Sequence, residues 1–253
     1  MFTIAGFYET SGSTTLDYVA AMADPSLSVL LDDVVVPRGL PNLGGVWVRS
    51  NSITDGRVDS PSLRKIANLK IFPMRQQWQV DFEEDAHWMD MMQMPIALEP
   101  TERINLLCAE NGVGDDIWGF VLFMDQIDPV PTGPWRTIRL TGTTTLTVNT
   151  WTNVPLTLDE DLPAGRYAII GAGSQSSGLR MWRLVNPPSP WRPGGVGIGE
   201  PVYPCLRSLR FGAKGSWGEF EHDMVPSVDC CSASADTAER VWMDVVQVRS
   251  GPG

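Results

Sequence analysis

The sequence predicts an all-β protein made of two antiparallel β-sandwiches, with short helices confined to loops. Three observations carry that prediction. Several runs alternate apolar and polar residues with period two, the pattern of a half-buried strand. Turn-forming Gly, Pro, Asn and Asp punctuate these runs at roughly 8–12-residue spacing, the rhythm of a sandwich or barrel and not of βαβ units. A Pro-rich junction, Asp128-Pro129-Val130-Pro131-Thr132-Gly133-Pro134, lies near the middle of the 253 residues with strands on both sides. Proline has no N–H for a ladder, so this segment ends any central strand and stiffens the connection. It divides the chain into domains 1–127 and 128–253.

In the first half, residues 2–7, 27–36, 45–49, 66–72, 104–110 and 117–124 read as strands from their content of Val, Ile, Leu and Phe. Three short helices fit between them. One spans 16–23 and stops before Pro25; a second spans 61–66, capped by Ser60 with Pro61 in its first turn; a third spans 86–94, limited by Pro95.

The second half is more regular. Over 137–148, Ile138, Leu140, Leu146 and Val148 fall on one face, and Thr137, Arg139, Thr141, Thr143, Thr145 and Thr147 on the other. Val154, Leu156 and Leu158 repeat the alternation. Strands follow at 166–172 and 179–185 about a turn at 173–178, then at 206–211, 217–221 and 240–249, while the Pro/Gly-rich 186–204 reads as coil.

Net charge is −11, of which −10 belongs to residues 1–127. Within 166–214, seven basic residues (Arg166, Arg180, Arg183, Arg192, Arg207, Arg210, Lys214) face a single acid, Glu200. An acidic half beside a basic belt suits contact between copies of one chain, and an acidic whole disfavours nucleic acid as a partner. A membrane-facing role for the belt is a weaker alternative. Ten Trp and a cation set that is nearly all Arg point to interface anchors. No apolar run is long enough to cross a bilayer as a helix, and the first residues lack the basic and apolar regions of a signal peptide.

Chemistry-bearing motifs are sparse. Gly171-Ala172-Gly173 follows a strand, but its third glycine, Gly178, is too distant for dinucleotide binding and Pro187-Pro188 comes too soon for the helix. Gly194 to Gly199 lacks the Lys-Ser/Thr of a phosphate loop. Asp81, Glu83, Glu84, Asp85, His87 and Asp90 form an acidic cluster without EF-hand spacing, and Asp159-Glu160-Asp161 reads as a polar turn. Neither His87 nor His222 lies near a nucleophile elbow. Cys108, Cys205, Cys230 and Cys231 show no zinc spacing, and adjacent Cys230 and Cys231 point to opposite faces of a strand, so free thiols are expected. The expectation is therefore no catalytic residues, no metal and no cofactor.

The runs Gly142 to Val148, Leu162-Pro163-Ala164-Gly165-Arg166-Tyr167, Trp217-Gly218-Glu219-Phe220-Glu221 and Val241 to Val248 resemble jelly-roll viral capsid proteins, and the two-sandwich count with its proline junction is most similar to the double jelly-roll major capsid proteins of tailless icosahedral viruses. The resemblance implies a structural virion protein, a homotrimer assembling into capsomers alongside other virion proteins. Trp182, Arg183, Trp191 and Arg192 are expected at a subunit contact. Two other classes fit the sequence less closely: a carbohydrate-binding sandwich with exposed Trp platforms, and a β-sandwich hydrolase using paired carboxylates.

Overall fold

The computed structural model describes residues 1–11, 13–50, 53–65, 71, 88–110, 114–186, 189–198, 209–237 and 239–250. The chain divides into two compact units, Thr3–Asp125 and Met1–Phe2 with Gln126–Gly253.

The N-terminal unit contains β1 (Phe2–Ser11), β2 (Asp17–Tyr18), β3 (Val29–Leu30), β4 (Asp33–Val35), β5 (Asn42–Arg49), β6 (Ile53–Asp59), the helix α1 (Pro61–Lys65), β7 (Met89–Asp90), β8 (Ile96–Ala97), β9 (Arg103–Glu110) and β10 (Asp115–Met124). One sheet runs β1-β10-β5-β7, with β8 also on β5; in the other, β9 has β2 and β4 on one edge and β6 on the other. Val58 of β6 in turn bridges Ile71.

The C-terminal unit contains β11 (Trp135–Gly142), β12 (Thr152–Val154), β13 (Thr157–Leu158), β14 (Gly165–Gln175), β15 (Leu179–Val185), β16 (Gly194–Val196), β17 (Gly218–Glu221), β18 (Ser227–Ser232) and β19 (Glu239–Ser250). Its sheets are β13-β11-β19-β14-β17 and β12-β18-β15-β16.

With the small β13 set aside, the C-terminal strands numbered in chain order give sheets first-eighth-third-sixth and second-seventh-fourth-fifth. That order is a jelly roll, two interlocked Greek keys closed face to face. The N-terminal unit repeats it: β1, β10, β5 and β7/β8 form the first sheet, and β2/β4, β9, β6 and Ile71 the second. The expected pair of jelly-roll sandwiches is what the chain forms.

The cores follow from strand alternation. Ile138 and Leu140 are 1% and 0% exposed, whereas Thr137 and Arg139, alternating with them, face out. In the N-terminal unit Trp47 stacks on Phe120 with ring centroids 5.7 Å apart. In the C-terminal unit Trp217 stacks on Trp182 at 6.1 Å and receives the edge of Phe2 at 5.1 Å. Such rings dominate core burial.

Several local expectations are corrected. No helix forms over 16–23: Asp17–Tyr18 is a strand, and the Val19 N–H donates to the Leu106 carbonyl at 2.9 Å. Residues 89–90 of the third expected helix are likewise a strand, paired with β5. Among the described residues of the three expected helices, only α1 is helical, with the Leu63 N–H donating to the Ser60 hydroxyl at 3.3 Å as a cap. The long strand expected over 137–148 ends at Gly142, and 27–36 is a hairpin that turns at Leu31-Asp32. Residues 209–211 are a turn, and β16 lies in the segment expected as coil. Most of the strand expected over 66–72 lies outside the described residues.

Candidate subunit-contact surface

The four residues expected at a contact are sorted by the geometry of β15 and the loop after it. Consecutive residues of a strand face opposite ways, so Trp182 and Arg183 do not share a surface. Trp182 is 0% exposed and points into the sandwich, where its Nε1–H donates to the Val196 carbonyl at 2.9 Å. Arg183 points to the other side of the same sheet and is also 0% exposed. Trp191 and Arg192 are half-buried.

Arg183 and Arg192 converge on one carboxylate. Asp229 Oδ2 accepts from Arg183 Nε at 3.0 Å and from an Arg192 terminal nitrogen at 2.5 Å, and Oδ1 accepts from the Asn153 amide at 2.8 Å. The strand pairing explains the convergence, since Asn153 on β12, Asp229 on β18 and Arg183 on β15 sit directly opposite one another. The Arg183 guanidinium also lies 4.3 Å over the Trp151 ring. Gly194 is opposite Arg183 on β16; a Cβ there would stand 2.0 Å from the Trp182 carbonyl oxygen. Hence the glycine: the ladder approaches too closely for any side chain.

A second buried carboxylate organises the other sheet of this unit. Asp244 on β19 is 0% exposed and accepts from Arg210 through two nitrogens at 2.6 and 2.7 Å, from the Thr137 hydroxyl at 2.6 Å and from the Phe211 N–H at 2.9 Å. Burial works against the charge, but these four donors prevail and hold its pKa below the usual carboxylate range. The turn carrying Arg210 and Phe211 lies over β14 at Gly171, where a Cβ would stand 2.6 Å from the Leu209 carbonyl oxygen. The Gly171-Ala172-Gly173 motif is thus part of the long β14, not a turn, and its first glycine seats this segment.

Trp135 at 59% exposure and Phe211 at 60% meet edge to face above that turn, ring centroids 5.5 Å apart. Sequence reasoning missed this pair. Trp135 starts the most regular strand of the chain, and nothing in a single sequence marks which end of a strand stays uncovered.

At the opposite extreme, Glu239 is 0% exposed and neither of its carboxylate oxygens makes a hydrogen bond among the described residues. Burial raises its pKa to about 7, and the nearby Asp236 carboxylate pushes the same way. Cys108, Cys230 and Cys231 are buried free thiols, as expected, with burial pushing their pKa values up.

Of the ten Trp, Trp47, Trp88, Trp118, Trp182 and Trp217 are core residues, Trp151, Trp191 and Trp242 are half-buried, and Trp135 is exposed. Asp81, Glu83, Glu84, Asp85, His87, Cys205 and Arg207 lie outside the described residues. Among the described residues, no three His, Cys, Asp or Glu side chains are placed to hold a metal ion, and no helix is long and apolar enough to cross a membrane.

No protein-family model matches the chain, and no curated protein matches it in sequence. Among solved structures, it is similar to the major capsid protein P2 from Bacteriophage PM2, with 11% identity, 98% of each chain covered and a TM-score of 0.25. The jelly-roll assignment rests on the strand order.

Proposed function

We propose that this chain is a structural virion protein whose copies associate into capsomers of an icosahedral shell. The observation that carries the reading is the doubled strand order, first-eighth-third-sixth against second-seventh-fourth-fifth, found once in each unit. Single jelly rolls serve in viral coats, lectins and cupins alike. Two in one chain agree with the double jelly-roll capsid proteins that the sequence resembles. On this reading the partners are further copies of the chain, in a homotrimer, together with other virion proteins, and the protein resides in the virion. Five of the ten Trp are buried and so are unavailable to a sugar-binding platform.

Size-exclusion chromatography with light scattering, followed by electron microscopy of the peak, tests the proposal. A discrete trimer, or larger closed particles, is expected. A chain that stays monomeric at every concentration overturns it.

A further inference from the structure

Each unit buries one glutamate at the same place in its jelly roll, where the seventh strand gives way to the eighth. In the N-terminal unit Glu110 closes β9, and in the C-terminal unit Glu239 opens β19. They are 1% and 0% exposed. Among the described residues, neither carboxylate oxygen of Glu239 has a hydrogen-bond partner, and nor does Oε2 of Glu110, whose Oε1 accepts from the Ser50 hydroxyl. A buried carboxylate so poorly supplied with donors is costly as an ion and tolerable as a neutral acid. The chain carries this arrangement twice.

The described surroundings of both carboxylates repel a charge. From β14, Ser174 is buried and gives Glu239 no hydrogen bond, and Ser176 donates its hydroxyl to Asp236 Oδ2 at 2.7 Å instead. From β18 comes the Cys230 thiol, whose own ionisation the Glu239 charge opposes. Asp229, beside it, points to the other face, where Arg183 and Arg192 hold it. Gly142 stands opposite on β11, and Arg240, the next residue of β19, faces out. The charge acting on Glu239 is that of Asp236, an acid. Around Glu110 the acting charges are Asp115 and Asp116 of β10, acids again. The Cys108 thiol, two residues back on β9, is disfavoured as a thiolate by Glu110, and Asp55 pairs with Ala109 on the other face.

The chain between β18 and β19 is tied to the β14–β15 turn. Asp236 Oδ2 also accepts from the Ser177 N–H at 2.6 Å, and the Asp236 carbonyl accepts from the Leu146 N–H at 2.8 Å. The Ala233 N–H donates to the Gly178 carbonyl at 2.9 Å, and the Ser234 hydroxyl to the Ser177 carbonyl at 3.0 Å. In the other unit the Glu110 N–H donates to the Ser13 carbonyl at 2.9 Å. Because Glu239 is the first residue of β19 and Glu110 the last of β9, each can reach water by releasing one strand end, without unpairing the rest. We propose that the seventh-to-eighth connection of each unit is a pH-operated latch, closed while its buried glutamate is neutral and released when that glutamate ionises. The latch belongs to a single chain and stands apart from the virion reading.

Amide hydrogen exchange of the full chain between pH 5 and pH 8, corrected for the intrinsic rate, tests the latch. Protection of the Ser177, Ala233 and Leu146 amides is expected to fall about tenfold or more. Linkage requires this of a proton bound near 7 in the closed state and near 4.5 in the open one. The Met243 and Val245 amides, in the middle of β19 between two paired strands, are expected to stay protected. Glu239→Gln is expected to keep protection level across the range. Glu239→Met, an apolar side chain of similar length, gives the same reading if the amide variant folds poorly. Glu110→Gln is expected to level the response of the position-110 amide and leave that of the C-terminal unit intact. Parent protection that ignores pH, or that changes equally in the Glu239 variants, overturns the latch. Equal loss at Met243 and Val245 overturns it too, since the whole unit would then be opening.

Discussion

The Phe211 N–H donates to Asp244 Oδ2 at 2.9 Å, so a fully buried carboxylate fixes the backbone of an exposed aromatic residue. The same carboxylate neutralises Arg210, whose guanidinium lies 4.8 Å from the Phe211 ring centroid. One interior charge thereby positions a surface feature.

Asp244→Ala removes the acceptor for all four donors and the buried carboxylate that faces Arg210. Breaking a buried ion pair from one side costs about 3–5 kcal/mol. Urea unfolding at pH 7 is expected to show a loss of that order, with the Trp135 environment changed in fluorescence.

Stability is expected to fall as pH rises from about 4.5 to about 7. Glu239 ionises near 4.5 when unfolded but near 7 when folded, so the folded state binds more protons between those values and is disfavoured as they are lost. Glu110, whose pKa burial also raises against the pull of Ser50, acts in the same direction. Asp244 has the opposite sign: its contribution is present above 3.8 and disappears in more acid solution. In thermal melts across this range, Glu239→Gln is expected to flatten the decline between pH 4.5 and 7 and leave the acid-side loss intact. An unchanged profile would contradict the assignment.

Arg183 and Arg192 share Asp229 but differ in burial, with side chains 0% and 18% exposed. Arg183→Ala is expected to cost about 3–5 kcal/mol in chemical denaturation, and Arg192→Ala about 1–2 kcal/mol. Because Trp191 and Arg192 are only half-buried, a subunit contact through this loop is read by their double alanine variant as a lowered oligomer mass without unfolding.

Two strand glycines are expected to respond in opposite ways to alanine. At Gly194 the new Cβ meets the Trp182 carbonyl oxygen at 2.0 Å, an overlap that overpacking costs place at about 1–3 kcal/mol or more. At Gly173 nothing lies within 4 Å, and alanine there is expected to be neutral or to stabilise by about 0.5 kcal/mol. Melting temperatures of the two variants check the contrast.

The sequence declares strands either by a wet face or by an unbroken apolar run. β11 shows the first through Ile138 and Leu140, and β14, β15 and β19 show the second. β18, Ser227–Ser232, is hidden because its residues are small, polar or charged, although Val228, Cys230 and Cys231 are 0% exposed. β16 is hidden by its two glycines and β6 by Thr54, Asp55, Gly56 and Arg57, where tertiary pairing decides what local propensity does not. Residues 16–23 carry Leu16, Val19, Ala20 and Met22 at helical spacing, yet the Val19 N–H is taken by β9. Of the expected contact residues, the sequence marks Arg and Trp as anchors but not what they anchor. Trp182 and Arg183 hold the interior, and the exposed pair lies elsewhere.

The row Asn153–Asp229–Arg183 also bears on how β18 finds its place among its neighbours. A strand with the sequence Ser-Val-Asp-Cys-Cys-Ser offers few bulky apolar side chains to distinguish one alignment from the next. Sliding it by one residue would turn Asp229 toward the side occupied by Trp182, where a lone carboxylate has no cation and a large desolvation cost. The ion row thus acts as a pin: it singles out one alignment by making its neighbours untenable.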